Sequence, residues 1–234
     1  MDPEFLDREL GPELHWHPVP RPSRQPLRGQ HVSLEPMDAD THADGLYQAS
    51  HGENQDPRLW LYMNYGPWED PEEFRDWVRA NSTSEDPLFY AIVPTGQKPA
   101  GQATYLRIDE KNGVIEIGHI WFGASMQKTR AATEVIYLLA KHAFDDLGYR
   151  RFEWKCHARN QRSRNAATRF GFTYEGTFRN AIIQRNRNRD TAWYAITEEE
   201  WPAIRTAFET WLADDNFDAE GKQIRSLGDI RSNP

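Results

Sequence analysis

The stretch with the clearest chemistry is residues 127–134, where Gln127, Lys128, Thr129, Arg130, Ala131, Ala132 and Thr133 run up to Glu134. They lie between an apolar strand pattern and a long helical one. A helix N-terminus carries unpaired amides and a partial positive charge, so phosphate binds there readily. Lys128 and Arg130 add charge, Thr129 and Thr133 add hydroxyls, and the two alanines keep the backbone approachable. An ordinary helix cap has the same composition, and this segment alone does not separate the two readings.

Glu116 and His119 stand on the strand pattern just before that loop. A histidine of ordinary pKa, about 6.5, suits the removal of a proton from an amine near neutral pH. Three positions apart on a regular strand, the two face opposite sides. Only a β-bulge between them brings both to one side. Downstream, Asn160 and Ser163 open a short helical pattern, with Ser163 placed as its N-cap. Arg159, Arg162, Arg164, Arg169, Arg179, Arg185, Arg187 and Arg189 crowd one segment of a chain whose net charge is −8. A solvated face accounts for such a cluster, and so does an anion met by some of its members.

Other chemistries lack their residues. His15 and His17 flank Trp16 without a cysteine or carboxylate partner at zinc spacing, so no metal site is expected. There is no Gly-x-Ser-x-Gly elbow and no Gly-Lys-[Ser/Thr] phosphate loop. The single cysteine, Cys156, excludes an intramolecular disulfide and fits a reducing, cytoplasmic setting. Its strand pattern puts it on a buried face, which argues against a nucleophilic thiol.

The elements that must position these residues can be traced along the chain. Residues 11–30 hold Pro12, Pro18, Pro20, Pro22 and Pro26 and predict an extended arm. Residues 32–34 read as a first strand, with Asp40 capping a helix after it. Trp60, Tyr62, Tyr65 and Trp68 mark an aromatic stretch, and Pro71 starts a second helix. Three strands follow at 89–93, 103–108 and 114–122. The spacing of Val135, Leu138, Leu139, Ala143 and Leu147 predicts a helix over 130–147, stopped by Gly148. Residues 152–157 alternate as a strand, with Phe152, Trp154 and Cys156 on one face and Glu153, Lys155 and His157 on the other. A helix over 163–170, two strands at 172–183 and 190–196, and a helix over 198–212 complete the order. The implied architecture is α/β, a mixed α+β sheet with helices on its faces.

The length of 234 residues fits one such domain with appendages. The expected division is an arm over 1–27, in which residues 2–5 look like a cloning remnant, a domain over 28–213, and a polar tail over 214–234. No apolar run is long enough for a membrane span, and the first ten residues lack the apolar core of a signal peptide. The acidic balance argues against a surface that binds nucleic acid throughout.

The pieces fall in a telling order: Glu116-Ile117-Gly118, the 127–134 loop, Phe144-Asp145-Asp146-Leu147-Gly148-Tyr149-Arg150-Arg151, Asn160-x-x-Ser163, Gly171-Phe172, Glu175-Gly176 and Arg189-Asp190. Over residues of about 30–200 the chain resembles the GNAT superfamily of CoA-dependent N-acyltransferases, in its RimJ/RimL branch. The resemblance implies a single GNAT domain that transfers acetyl from acetyl-CoA, without a metal, to a primary amine on a protein N-terminus or a small molecule. The thioester would lie where the family's fourth and fifth strands splay, against the backbone of Ile120, Trp121 and Phe122. The pyrophosphate would sit on Gln127, Lys128, Thr129, Arg130, Ala131, Ala132 and Thr133, with Asn160 on the pantetheine and Arg164 beside the cofactor. Ser163 stands where the branch places the acid that protonates the departing thiolate. Trp60, Tyr62, Tyr65 and Trp68 fall where the family builds its acceptor pocket.

Two departures matter. Arg130 replaces a loop glycine, and Ile182 replaces a carboxylate proposed as general base, which leaves Glu116, His119 or a water chain for that task. The departures also motivate an alternative, a non-catalytic GNAT that binds CoA or a partner. Acyl transfer from aminoacyl-tRNA has only the arginine cluster behind it. Monomer and homodimer are both compatible with the sequence.

Overall fold

The computed structural model describes residues 2–53 and 55–233; Met1, Asn54 and Pro234 lie outside it. Eight strands form one sheet: β1 (Leu27–Arg28), β2 (Val32–Pro36), β3 (Leu88–Pro94), β4 (Gly101–Asp109), β5 (Val114–Phe122), β6 (Arg151–His157), β7 (Thr173–Gln184) and β8 (Arg187–Thr197). Their order across the sheet is β1-β2-β3-β4-β5-β6-β8-β7. Only β5 and β6 run parallel. A parallel pair needs a crossover, and α4 (Arg130–Lys141) supplies it. This is the mixed α/β sheet expected.

Each face of the sheet has its own apolar layer. On one, Val135, Ile136, Leu139 and Ala140 of α4 pack with Ile115, Ile117 and Phe152 of the sheet and with Trp201, Ile204 and Phe208 of α6 (Trp201–Leu212). On the other, α2 (Ala39–His51) and α3 (Pro71–Asn81) bury Leu46, Phe74 and Val78 against Phe89 and Trp121. The cap of α2 is Asp38, whose carboxylate accepts from the Thr41 amide, rather than Asp40. The long helix ends its regular part at Lys141 and continues as a π turn over His142–Asp146, with Gly148 left-handed beyond it. Within the turn His142 Nδ1 pairs with Asp146 at 2.9 Å.

Both termini depart from the sequence reading. Pro3–Leu10 is a helix, α1, before the extended arm. Residues 214–232, expected as a polar tail, hold a bridge and a short helix. Phe217 bridges Gln223, Ser226 and Asp229 form a capping box for α7 (Leu227–Ser232), and Leu227 and Ile230 enter the core. The polar spacing of this segment hid three apolar anchors, one of them Phe217, too far apart for a periodic pattern.

Candidate active site

Beyond the pair Ile117↔Trp154, β5 and β6 no longer share a ladder. Five residues of β5, from Gly118 to Phe122, therefore present an edge that no described strand pairs on the β6 side, where the Phe122 carbonyl accepts from Gln127. On the other edge Gln102 pairs with Trp121 and Thr104 with Gly118, so β5 holds one residue more than β4 between these pairs. The extra residue is a β-bulge, and His119 takes it up at φ 49. Phe89, Thr104 and Gly118 share one row of the sheet, and the His119 ring lies 5.5 Å from that of Phe89. The bulge thus turns His119 to the face that also carries Glu116.

His119 stacks on Tyr65 at an interplanar angle of 7°, with Nδ1 3.0 Å from the Tyr65 hydroxyl. Gln102 Nε2 donates to that hydroxyl oxygen at 3.0 Å and to the His119 carbonyl at 3.1 Å. Burial pushes the Tyr65 phenol well above its usual range, so it stays protonated. With Gln102 donating to its oxygen, the phenol directs its own proton to Nδ1, leaving the imidazole proton on Nε2. Burial holds His119 down at about 4. It is a neutral ring at physiological pH and a weaker base than its ordinary pKa suggests.

Glu116 is buried, and its carboxylate meets the Lys155 ammonium at 2.9 Å. Lys155 also reaches Glu153 at 2.6 Å and lies 3.8 Å over the Trp193 ring. Arg151 closes the series on Glu153 and Glu175. Burial raises the Glu116 carboxyl, and the positive charge of Lys155 pulls it part of the way back. Glu116 therefore has a raised basicity beside a cation, which suits a general base.

Ser163 is not the cap of its helix. The helix, α5, spans Gln161–Arg169, and Asn160 caps it by accepting from the Ser163 amide at 3.1 Å. The Ser163 hydroxyl accepts instead from Trp154 Nε1 at 2.9 Å, which leaves its own proton to be donated. Arg164 is braced on the Tyr194 hydroxyl at 3.1 Å. Burial raises the Cys156 thiol, so no thiolate is available there.

The aromatic stretch divides. Trp60 is core, packed on Trp68 and Trp121. Tyr65 reaches His119, Trp68 is half-buried beside it, and Tyr62 lies against His157 with its hydroxyl on the Arg159 carbonyl. Arg185 reaches the carbonyls of Trp60 and Gly66 at 3.2 and 3.0 Å, and Gln184 that of Tyr62. The 57–68 segment is thereby strapped to the β7–β8 hairpin. Ile182, in the place of the absent carboxylate, pairs with Arg189 on the exposed edge strand. Trp60 Nε1, Trp121 Nε1 and Gln102 Oε1 are buried without a hydrogen-bond partner among the described residues.

At the start of α4, Thr129 caps the helix by accepting from the Ala132 amide at 3.1 Å, and Lys128 turns the chain at φ 64. The amides of Arg130 and Ala131 come before any intrahelical acceptor. Both residues line a cavity of about 610 Å³ with Ser125, Lys128 and Thr129. Gln127 donates to the Phe122 carbonyl and is outside that lining, as are Ala132 and Thr133, whose hydroxyl accepts from Arg169. The Arg130 guanidinium turns to the C-terminal segment. It donates to the Leu212 carbonyl and Asp214 and stacks 4.0 Å over Phe217.

Gln102, Lys155 and Glu153 are the site residues that reading the sequence for chemistry passes over. The alternation in β6 did place Lys155 and Glu153 together, but only the pairing of β6 with β5 adds Glu116 to them. The described residues hold no group of three or more His, Cys, Asp or Glu that could bind a metal. No described helix is long and apolar enough to cross a membrane.

A family model described as acetyltransferase (GNAT) domain matches residues 31–173. A GCN5-related N-acetyltransferase from Brucella melitensis superposes with a TM-score of 0.90 at 43% identity, covering 93% of this chain and 99% of that one. An uncharacterised N-acetyltransferase, p20, of Bacillus licheniformis is 27% identical over 150 residues, 62% of this chain and 84% of its own. The microcin C7 self-immunity acetyltransferase MccE, solved with acetyl-CoA and AMP, shares the fold with a TM-score of 0.61 at 23% identity, covering 72% of this chain and 93% of that one.

Proposed function

The chain belongs to the GNAT acetyltransferase family, and we propose that it transfers acetyl from acetyl-CoA to a primary amine by direct attack in a ternary complex. The observation that carries this reading is the parting of β5 from β6 after Ile117, with the bulged His119 and the buried Glu116 on one face of β5 beside it. The residues present fit the donor. The unpaired β5 edge around Ile120, Trp121 and Phe122 suits the amide-like pantetheine arm, and the α4 amides with Lys128 and Thr129 suit its phosphates.

In this reading Glu116 takes the proton of the ammonium form, because a free α-amino group holds it up to about pH 7.7–8.0. His119, neutral and fixed by Tyr65, donates from Nε2 and orients the acceptor rather than acting as the base. The amine nitrogen then bonds to the carbonyl carbon and the carbon–sulfur bond breaks; the Ser163 hydroxyl gives its proton to the departing thiolate, and the second proton the nitrogen sheds as it becomes an amide restores that hydroxyl. A buried thiol at Cys156 favours this route over an acyl-cysteine. The acceptor is a protein N-terminus or a small amine beneath the 57–68 strap. The ordered motifs favour the RimJ/RimL pattern, and the lone cysteine favours the cytoplasm.

Acetyl-CoA should raise the melting temperature by mass action. At a hundred times its Kd the stabilisation is about 2.7 kcal/mol, which for a chain of this size corresponds to a rise of roughly 5–10 °C. No shift with any CoA ester at millimolar concentration would remove the function while leaving the fold intact.

A further inference from the structure

The cavity at the start of α4 has a wall that the phosphate loop does not supply. Its volume of about 610 Å³ is bordered by Trp211, Phe217, Gly221, Lys222 and Gln223 from the C-terminal part of the chain. A volume within the usual range of about 300–1,000 Å³ for small-molecule sites exceeds what a pyrophosphate alone would fill.

This wall is held in shape. Trp211 Nε1 donates to Gln223 at 2.9 Å, Arg130 stacks on Phe217, and Leu227 and Ile230 anchor the far end in the core. A turn closes between, where the Gly221 amide meets the Asp218 carbonyl and the Lys222 amide meets the Asp218 carboxylate at 2.7 Å. Gly221 has φ 76, a conformation that favours glycine, and the turn sets Lys222 at the lining.

The lining is also cationic. It contains Lys128, Arg130 and Lys222 and no carboxylate, in a chain whose net charge is −8. Asp214 lies outside it and takes up part of the Arg130 charge. Two lining residues keep a buried nitrogen with no partner among the described residues: His31 Nε2 and Arg130 Nε. A cavity with three cations and no carboxylate in its lining suits a polyanion.

We propose that the C-terminal segment is the second wall of the donor site, and that it holds the 3′-phosphorylated adenosine end of acetyl-CoA. Lys222 from this segment and Lys128 from the loop take the 3′-phosphate, with His31 beside them. The inference rests on acetyl-CoA being the donor, and it adds a specificity residue outside the matched domain.

Isothermal titration of the full chain with acetyl-CoA and with acetyl-dephospho-CoA, which lacks only the 3′-phosphate, tests it. One lost charge-assisted contact makes the wild type bind acetyl-CoA about tenfold tighter or better. Lys222→Glu should erase that preference by weakening acetyl-CoA alone, and Lys222→Arg should keep it. Lys222 is exposed, so an unchanged melting temperature confirms that the variants fold. Equal binding of the two ligands by the wild type, or a preference that survives Lys222→Glu, overturns the inference while leaving acetyl-CoA as donor. A wild type that binds neither ligand overturns both readings.

Discussion

The Nδ1 of His119 lies 3.0 Å from the Tyr65 hydroxyl, which Gln102 holds from its other side. Burial puts the folded-state pKa of His119 at about 4, below the ordinary value of 6.5. Between those values the unfolded chain binds a proton that the folded chain refuses, so stability is full above pH 6.5 and falls as the pH drops toward 4. The loss is of order 3 kcal/mol once both states are protonated. Urea unfolding of the wild type and His119→Gln between pH 7 and pH 4 measures it. The difference between the two proteins should change by a large part of that amount, and parallel curves would contradict the assignment.

Glu116, on the same face of β5, lies 2.9 Å from the Lys155 ammonium. Glu116→Gln should lower turnover by about 10²–10⁴-fold, the usual worth of a general base, with acetyl-CoA affinity nearly unchanged. The wild-type rate should show an acidic limb above the ordinary carboxylate range, because burial raises this group. That limb should vanish in the variant. His119→Gln should keep the limb and weaken the acceptor KM instead. If the limb disappears with His119 and persists without Glu116, the two roles are reversed.

Ser163 and Asn160 divide tasks that the sequence assigns to Ser163 alone. Ser163→Ala should slow thiolate departure without moving the acidic limb, and it strands the buried Trp154 Nε1 at about 1–3 kcal/mol. Asn160→Ala removes the α5 cap for about 1 kcal/mol. Rates with acceptors of varied reactivity, compared with chemical denaturation of both variants, separate the two effects. A Ser163→Ala protein with wild-type turnover would dismiss it as the acid.

Much of this was legible because it is local. The apolar spacing of α4, the alternation of β6 and the left-handed stop at Gly148 depend on neighbours within a few residues. A bulge between Glu116 and His119 was foreseeable as a requirement, but its place is set by the pairing with Gln102 and Thr104. The position of Arg130 in the loop predicts a phosphate ligand. Its guanidinium instead meets Leu212, Asp214 and Phe217, more than eighty residues away along the chain. No local pattern encodes such a contact. The same reasoning explains the missed C-terminal wall, whose apolar anchors are single residues among charged ones.

The central claim is acetyl transfer to an amine, and the direct measurement is thiol release from acetyl-CoA across a broad panel of amines and N-terminal peptides, with products weighed by mass spectrometry. The account predicts release that depends on one class of amine, a product heavier by one acetyl group, and loss of both in Glu116→Gln by about 10²–10⁴-fold. Tight binding of acetyl-CoA with no acetylated amine anywhere in the panel would contradict it, and would make the chain a binding module built on an enzyme's fold.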